Sequence, residues 1–395
     1  MNFKKQELSP KNFSLLDIGT YKIRTVTCKF FYDGIGIIGY NEKRQEDDNF
    51  FLGEARDFKT ISENIRLSLE KSEKGNEADE IIVNLLAPQF FLYSHQINFA
   101  RKNENEEITE KEIVSILKDF EKKYILSSCE NIKKKSGYNR EDLKLIFSSI
   151  GEMKIDGKKT EIPIGKKGKN IKIALVNIFM PLSFFEITKK IFVSFGREKF
   201  KIIPFEYSVL RTLPEENVVA INIGNTKTYI GIKRENYIVG TTRINIGIGD
   251  LIKKIKEKYN LTQVEIIKNL DTQYEEEKRE FLSIFESCIV SGIEEIIEND
   301  ICPHMFLLIG GGAHNLFIKE FFKNLSFSKH GIKIIKGIQI INIDEEQNIE
   351  DGEFLKNPSN FDIFSTILTY NYLENKKNDF LTKNLEKVIK EIEEE

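Results

Sequence analysis

Two stretches of this chain share one order of apolar and polar positions. Residues 13–40, FSLLDIGTYKIRTVTCKFFYDGIGIIGY, alternate as a strand (13–18), a Gly19-Thr20 turn, a strand (22–31), an Asp33-Gly34 turn and a strand (35–40). Residues 218–247, VVAINIGNTKTYIGIKRENYIVGTTRINIG, repeat that order, with the polar turn at Glu235-Asn236. Asp17-Ile18-Gly19 lies over Asn222-Ile223-Gly224, and Lys22 over Lys227, so the copies stand 205 positions apart (Asp17 to Asn222). The pattern predicts a duplicated three-strand meander. Each copy ends its first strand in a Gly/Thr-rich turn of the kind that presents backbone N–H groups to a phosphate.

Between the copies, Ile61, Ile65 and Leu69 recur at helical spacing after Phe58, which predicts a helix over 58–74 stopped by Gly75 and Asn76. A buried strand follows at 80–88. Residues 90–99 read as a strand, and Thr109 with Glu112 forms a capping box ahead of a helix lined by Ile113, Ile116, Leu117 and Phe120. A strand at 144–152 and a Gly/Lys-rich loop at 154–170 complete a small α+β insertion over 89–168. The apolar run 171–181 reads as a return to the first domain, followed by a helix (182–195), a short strand (200–204) and a short helix (205–213). After the second meander come helices at 251–259, 263–269 and 274–299. A strand, triple-glycine turn and helix follow at 304–322, then a strand pair over 332–341 and a helix over 357–373. The tail 374–395 places Leu381, Leu385, Val388 and Ile392 on one helical stripe beside Lys383, Lys387 and Lys390, and ends in glutamates.

Composition narrows the class. The chain has 395 residues, 40% of them hydrophobic and 31% charged, enough for two or more domains with real cores. A net charge of −3 from 59 basic and 62 acidic residues gives no global pull toward nucleic acid. The basic segment GKKTEIPIGKKGKNIK lacks interleaved aromatics and reads as a solvated loop. Cys28, Cys129, Cys288 and Cys302 form no CxxC pair, so neither a zinc site nor a disulfide framework is expected. No secretory leader and no membrane span are read, and the expected location is cytoplasmic.

Three glycine turns end β-runs: DIGT (17–20), NIGNT (222–226) and IGGG (309–312). One alone reads equally as a structural turn; three, two of them duplicated, point to a nucleotide cleft between α/β domains. Lys22 and Lys227 offset phosphate charge in that reading, and are solvated strand lysines in the plainer one. Asp17 suits a Mg²⁺-bound water or the attacking water, or else simply forms a turn. Glu265 and Lys268 share a helix face, where they reach ribose and base or form an exposed ion pair. His314 follows the triple-glycine turn and either borders the base or only starts a helix. The four histidines are scattered and suggest no metal cluster or triad.

These motifs resemble the bacterial cell-division actin homologue FtsA over about residues 13–373. LLDIGTYKIRTV is similar to that family's first phosphate motif, VVAINIGNTKTYIGI to its second, MFLLIGGGAHNL to its adenosine motif, and VEIIKNL to its ribose-contacting helix. SHQINFARKNENEEITEKEIVSIL resembles the start of its inserted subdomain. The resemblance implies an α/β, actin-like, ribonuclease-H-like duplicated fold of two domains with an inserted α+β subdomain. Domain 1 would comprise 1–88 with 169–213, the insert 89–168, domain 2 residues 214–373 with a subdomain at about 251–300, and the tail 374–395. It further implies ATP or ADP with Mg²⁺ in the cleft. The candidate contacts are then Gly19, Thr20, Tyr21, Lys22, Gly224, Asn225, Thr226, Lys227, Gly247, Glu265, Lys268, Gly310, Gly311, Gly312, Ala313 and His314. Asp17 and Asn222 are the candidate catalytic residues, with Asp17 holding Mg²⁺ through water.

As partners the resemblance implies self-association into filaments, the tubulin-like division GTPase FtsZ, other division proteins and peripheral contact with the cell membrane through the tail. Two departures matter. The second phosphate motif usually opens with Asp, but here it is Asn222, which bears no charge and cannot act as a base. That implies slow or no ATP hydrolysis. The tail's glutamates also oppose attraction to anionic lipid, leaving partner-helix packing as its other reading. A PilM-like pilus-assembly scaffold, which shares the fold and the insert, is the rival reading. A small-molecule kinase of the superfamily is a further one, disfavoured because no aspartate is placed as base for a substrate hydroxyl.

Overall fold

The computed structural model describes residues 11–19, 21–31, 34–45, 58–85, 90–235, 237–297, 301–325, 338–340 and 349–394. Thr20, Asp33, Asn236 and most of 332–341 therefore lie outside the described residues. By packing, the chain divides into Met1–Leu86 with Ile191–Leu368, and Ala87–Lys190 with Thr369–Glu395.

In chain order the first unit opens with β1 (Asn12–Ile18), β2 (Lys22–Phe30), β3 (Ile35–Arg44), α1 (Phe58–Glu73) and β4 (Glu80–Leu85). The second unit then supplies β5 (Phe91–Ala100), α2 (Glu110–Ser136), β6 (Leu143–Ile155), β7 (Lys158–Lys159) and β8 (Asn170–Pro181). Helix α3 (Leu182–Val193) leads back to the first unit's β9 (Phe200–Ile202), α4 (Phe205–Thr212), β10 (Val218–Ile223), β11 (Thr228–Arg234) and β12 (Tyr237–Ile244). There follow α5 (Ile248–Tyr259), α6 (Gln263–Asn269), α7 (Glu275–Ile297), β13 (Phe306–Ile309), α8 (Leu316–Asn324), β14 (Ile338–Ile340) and β15 (Ile349–Glu350). Helices α9 (Phe361–Lys376) and α10 (Phe380–Glu394) close the described chain.

The first unit holds two sheets of the same plan. One runs β15-β3-β2-β1-β4-β9 and the other β12-β11-β10-β13-β14. In each, an antiparallel meander is extended by two strands parallel to its first, β4 and β9 beside β1 and β13 and β14 beside β10. The register repeats as well: Asp17 faces Arg24 across β1 and β2, and Asn222 faces Tyr229 across β10 and β11. The duplication read from the sequence is thus a duplication of sheets.

β1 is buried along nearly its whole length because it is central and covered on both faces, which explains its near-continuous apolar run. Ile61, Ile65 and Leu69 bury the inner face of α1 against β2 and β3. The second sheet shares one core with α5, α6, α7 and α8, including Ile221, Ile230, Leu251, Ile255, Ile266, Phe285, Ile289 and Phe322. Helices α5, α6 and α7 thus join that sheet's core in place of forming a core of their own.

The second unit is a four-stranded sheet, β5-β8-β6-β7, covered by α2 and α10. Thr109 Oγ1 accepts the Glu112 N–H at 3.2 Å and Gly137 ends α2 in the left-handed region, as capping chemistry requires. Two expectations change here. The run 171–181 belongs to this unit: it forms β8, paired on both sides with β5 and β6. An apolar run signals a buried strand but carries no information about which sheet buries it. The tail also joins this unit, for Leu381, Leu385, Val388 and Ile392 are buried in one core with Ile113, Ile116 and Leu117 of α2.

Among the described residues no helix is long and apolar enough to cross a membrane. Cys28, Cys129 and Cys302 are buried and Cys288 is half-buried, none of them in a disulfide.

Candidate functional site

The ends of β1, β10 and β13 converge in the first unit on a cleft of about 420 Å³. Gly19, Tyr21 and Lys22 line it from the first meander's turn. Asn222, Gly224, Asn225, Thr226 and Lys227 line it from the second, and Gly310, Gly311, Gly312 and His314 from the turn after β13. The two meander turns close alike: Gly19 N–H donates to the Lys22 carbonyl at 3.0 Å and Gly224 N–H to the Lys227 carbonyl at 2.9 Å. The second turn is braced by α5, whose Ile248 and Gly249 N–H groups donate to the carbonyls of Gly224 (3.0 Å) and Asn225 (2.7 Å). A side chain at Gly249 would collide with Asn225, which is why the first turn of that helix carries a glycine there. Those two amides are spent on the turn, so α5 positions the cleft wall and does not offer these donors to a ligand.

The triple-glycine turn is a 3-10 turn over Gly311–His314. Gly310 has φ 87° and ψ 171°, a region open in practice to glycine alone, and its Cα lies against the Asn222 side chain and the Ile223 backbone. The N–H groups of Gly311 and Gly312 have no acceptor among the described residues. Besides these polar turns, the cleft is lined by the aliphatic side chains of Ile248, Ile252, Ile267 and Leu270. Glycine turns with open donors and aliphatic side chains in one cleft suit a ligand with a phosphate end and a flat apolar end.

The charges of the site are distributed unevenly. Arg24 is buried and gathers Asp17 Oδ2 (2.7 Å from Nε), Asp362 Oδ2 (2.6 Å from Nη2), Asn360 Oδ1 (2.9 Å) and the Ser359 carbonyl (2.7 Å). Burial outweighs the attraction of Arg24 and pushes the Asp17 carboxyl up to about 6, with Asp362 adding to the rise. Lys22 is paired with Glu42 at 2.7 Å. Lys227 has no carboxylate partner among the described residues, and burial with the nearby Arg243 holds its ammonium down at about 8. The second meander replaces the Asp17–Arg24 ion pair by a neutral pair, Asn222 and Tyr229. The Tyr229 ring has the Arg243 guanidinium over it at 4.5 Å and Phe205 perpendicular to it at 4.5 Å, and its buried hydroxyl has no hydrogen-bond partner among the described residues.

Most of the expected contacts gather here, but not all. Asp17 does not line the cleft; its carboxylate turns to Arg24, the residue directly across the strand pair. Glu265 and Lys268 do not line it either. Glu265 accepts the Thr262 N–H at 2.8 Å and the Thr262 hydroxyl at 2.6 Å, so it serves as the capping-box partner that starts α6. The face of α6 toward the cleft carries Gln263 and Ile267, with Leu270 just beyond the helix. Gly247 lies outside the lining, donating its N–H to Asp250 Oδ2 at 2.8 Å, and Ala313 is buried beneath the turn. Burial and Lys319 lower the His314 pKa, leaving its ring neutral at pH 7. Thr20 lies outside the described residues.

The lining residues missed by sequence reading are the polar Arg24, Tyr229, Gln263, Asn315, Asn357, Ser359 and Asp362 and the aliphatic Ile248, Ile252, Ile267 and Leu270. Arg24 and Tyr229 were accessible in principle, since hairpin register places them opposite Asp17 and Asn222. Asn357, Ser359 and Asp362 come from a distant segment and carried no motif.

No protein-family model and no curated protein matches the sequence. Among solved structures, the chain is similar to a chain of the PilM-PilN type IV pilus biogenesis complex, with a TM-score of 0.59 at 12% identity over 90% of this chain and 97% of that one. It also matches the ethanolamine utilization protein EutJ from Carboxydothermus hydrogenoformans (TM-score 0.46, 14% identity, 91% and 92% covered). A third match is the apo psk41 ParM protein (0.36, 12%, 91% and 98%). Only the first score is high enough to bear on the fold. Together with the duplicated sheets and the glycine-lined cleft, it gives the chain the actin-like ATPase fold, α/β and duplicated as the motifs implied. That matched chain belongs to a type IV pilus biogenesis complex.

Proposed function

We propose that this protein is a nucleotide-binding scaffold of the actin-like fold, which uses ATP or ADP as a conformational ligand and assembles with a partner protein. The observation that carries this reading is the cleft itself. Three glycine turns and Lys227 suit the phosphates, and Ile248, Ile252, Ile267 and Leu270 suit the base. Among the described residues the one carboxylate in its lining, Asp362, is tied to Arg24. With Asn222 uncharged, no carboxylate lining the cleft among the described residues is free to activate water, so turnover is slow.

The pilus-scaffold reading is favoured over the division-adaptor reading by the tail. A lipid-binding tail needs an exposed apolar face. Here Leu381, Leu385, Val388 and Ile392 are spent on the second unit's own core. Membrane association then comes through the partner, a short segment of an inner-membrane protein. The division-adaptor reading retains the support of the motif order, from the first phosphate turn through the inserted subdomain to the adenosine turn.

Equilibrium binding and single-turnover assays test the first part. ATP is expected to bind with little turnover, and hydrolysis strongly stimulated by a sugar or acid would replace the scaffold by a kinase. Pull-down with terminal peptides of a pilus inner-membrane protein and of the tubulin-like division GTPase tests the second. Retention by the division peptide alone would restore the adaptor.

A further inference from the structure

Resting on the nucleotide reading above, we infer that this cleft binds the nucleotide's phosphates without a divalent cation, with Lys227 and the Tyr229 hydroxyl standing in for the metal. A Mg²⁺ ion beside a polyphosphate is held by phosphate oxygens, water and at least one protein oxygen donor, usually a carboxylate. Among the described residues, the carboxylates at this cleft, Asp17 and Asp362, are committed elsewhere. Asp17 and Asp362 share the guanidinium of Arg24, at 2.5 Å and 2.6 Å from Nη2. Drawing either onto a metal would leave a buried arginine short of a counter-charge, which is expensive. The position matching Asp17 in the second meander is Asn222, and no group of three His, Cys, Asp or Glu able to hold a metal occurs among the described residues.

The same wall carries a positive charge with no partner. Lys227 lines the cleft, half-buried, with no carboxylate against it among the described residues. Beside it stands Tyr229, 5% exposed, whose hydroxyl has no partner there and which can donate to a phosphate oxygen. An ammonium and a phenol placed so can neutralise and orient a phosphate directly.

The test is the dissociation constant of ATP and ADP, by calorimetry on the full chain, in excess EDTA and in excess Mg²⁺. Metal-independent binding predicts affinity in EDTA at least as high as in Mg²⁺. Weaker binding in EDTA overturns the inference while leaving the nucleotide reading in place, and no binding in either condition overturns both. Lys227→Ala is expected to weaken binding about tenfold or more, and Tyr229→Phe severalfold, each equally with and without Mg²⁺. A loss confined to Mg²⁺-containing buffer would assign these residues to metal–nucleotide instead. Asn222→Asp supplies the converse: it should weaken binding in EDTA and let Mg²⁺ restore it. If its binding is as indifferent to Mg²⁺ as the parent's, the missing carboxylate is not what frees the site from the metal.

Discussion

Lys227 is where the chemistry of the cleft becomes measurable. Its ammonium is held at about 8 by burial first and by Arg243 second. The unperturbed lysine value is about 10.4, so folding disfavours the charged form. A bound phosphate restores the charge and raises that pKa, so binding takes up a proton above pH 8. Nucleotide affinity is therefore full below about pH 8 and declines as pH rises through it. Calorimetry across pH 6.5 to 9.5 (~three units spanning the shift) should show that decline, and Lys227→Arg, which stays charged, should flatten it. An unchanged slope in the arginine variant would assign the titration to another group. The adjacent glycines separate fold from binding. Gly310 occupies a backbone region essentially reserved for glycine and abuts Asn222, so Gly310→Ala should cost about 1–3 kcal/mol of stability in denaturant unfolding. Gly311 has open space where a side chain would go, so Gly311→Asp should keep that stability yet abolish ATP binding by setting a negative charge against the phosphates. Reversal of that order would mean that the turn is structural only.

The fate of an amphipathic stripe depends on what covers it, and the tail helix α10 shows this best. Leu385 and Val388 are almost fully buried beside α2 and β6, while Lys118 and Lys144 pair with Glu391 and Glu393 at 2.7 Å each. Glu391 and Glu393, two of the glutamates that argued against lipid, thus meet lysines of the same unit. Leu385→Ala should remove about 2–5 kcal/mol from the unfolding free energy of this unit, as other buried leucines do. The wild-type chain alone should not co-float with anionic vesicles, and flotation would reopen the membrane reading. The element types were largely legible from the sequence: both meanders, the capped start of α2 and the stripes of α1 and α10 followed from local periodicity and capping chemistry. What was not legible was non-local. An apolar run such as 171–181 looks the same whichever sheet buries it. Glu265 fits a capping box as well as it fits a ribose contact, and local hydrogen bonding to Thr262 prevailed. Asp17 was a sound candidate for a metal site until Arg24, seven residues on and directly across the hairpin, took its carboxylate.

At the scale of the molecule, each unit is discontinuous in sequence yet has a core of its own. In the first unit, Ile221, Ile230 and Phe285 help form the core of the second sheet; in the other, Ile113, Ile173 and Leu385 help form a separate core. The cleft lies wholly within the first unit, so a ligand there favours the native form of that unit by mass action, by about 2.7 kcal/mol at a hundredfold excess over Kd. The core that α10 completes lies wholly within the second. Scanning calorimetry is therefore expected to resolve two transitions, one raised by ATP and the other lowered by Leu385→Ala. The assignments are independent, because one perturbation is a ligand of the first unit and the other a cavity in the second. A single transition that both perturbations move would mean that the units unfold as one cooperative body. In that case nucleotide would stabilise the inserted subdomain as strongly as the cleft. For a scaffold the distinction is functional: two transitions describe a ligand-responsive unit joined to a separately folded one, and one describes a body in which occupancy of the cleft is felt throughout.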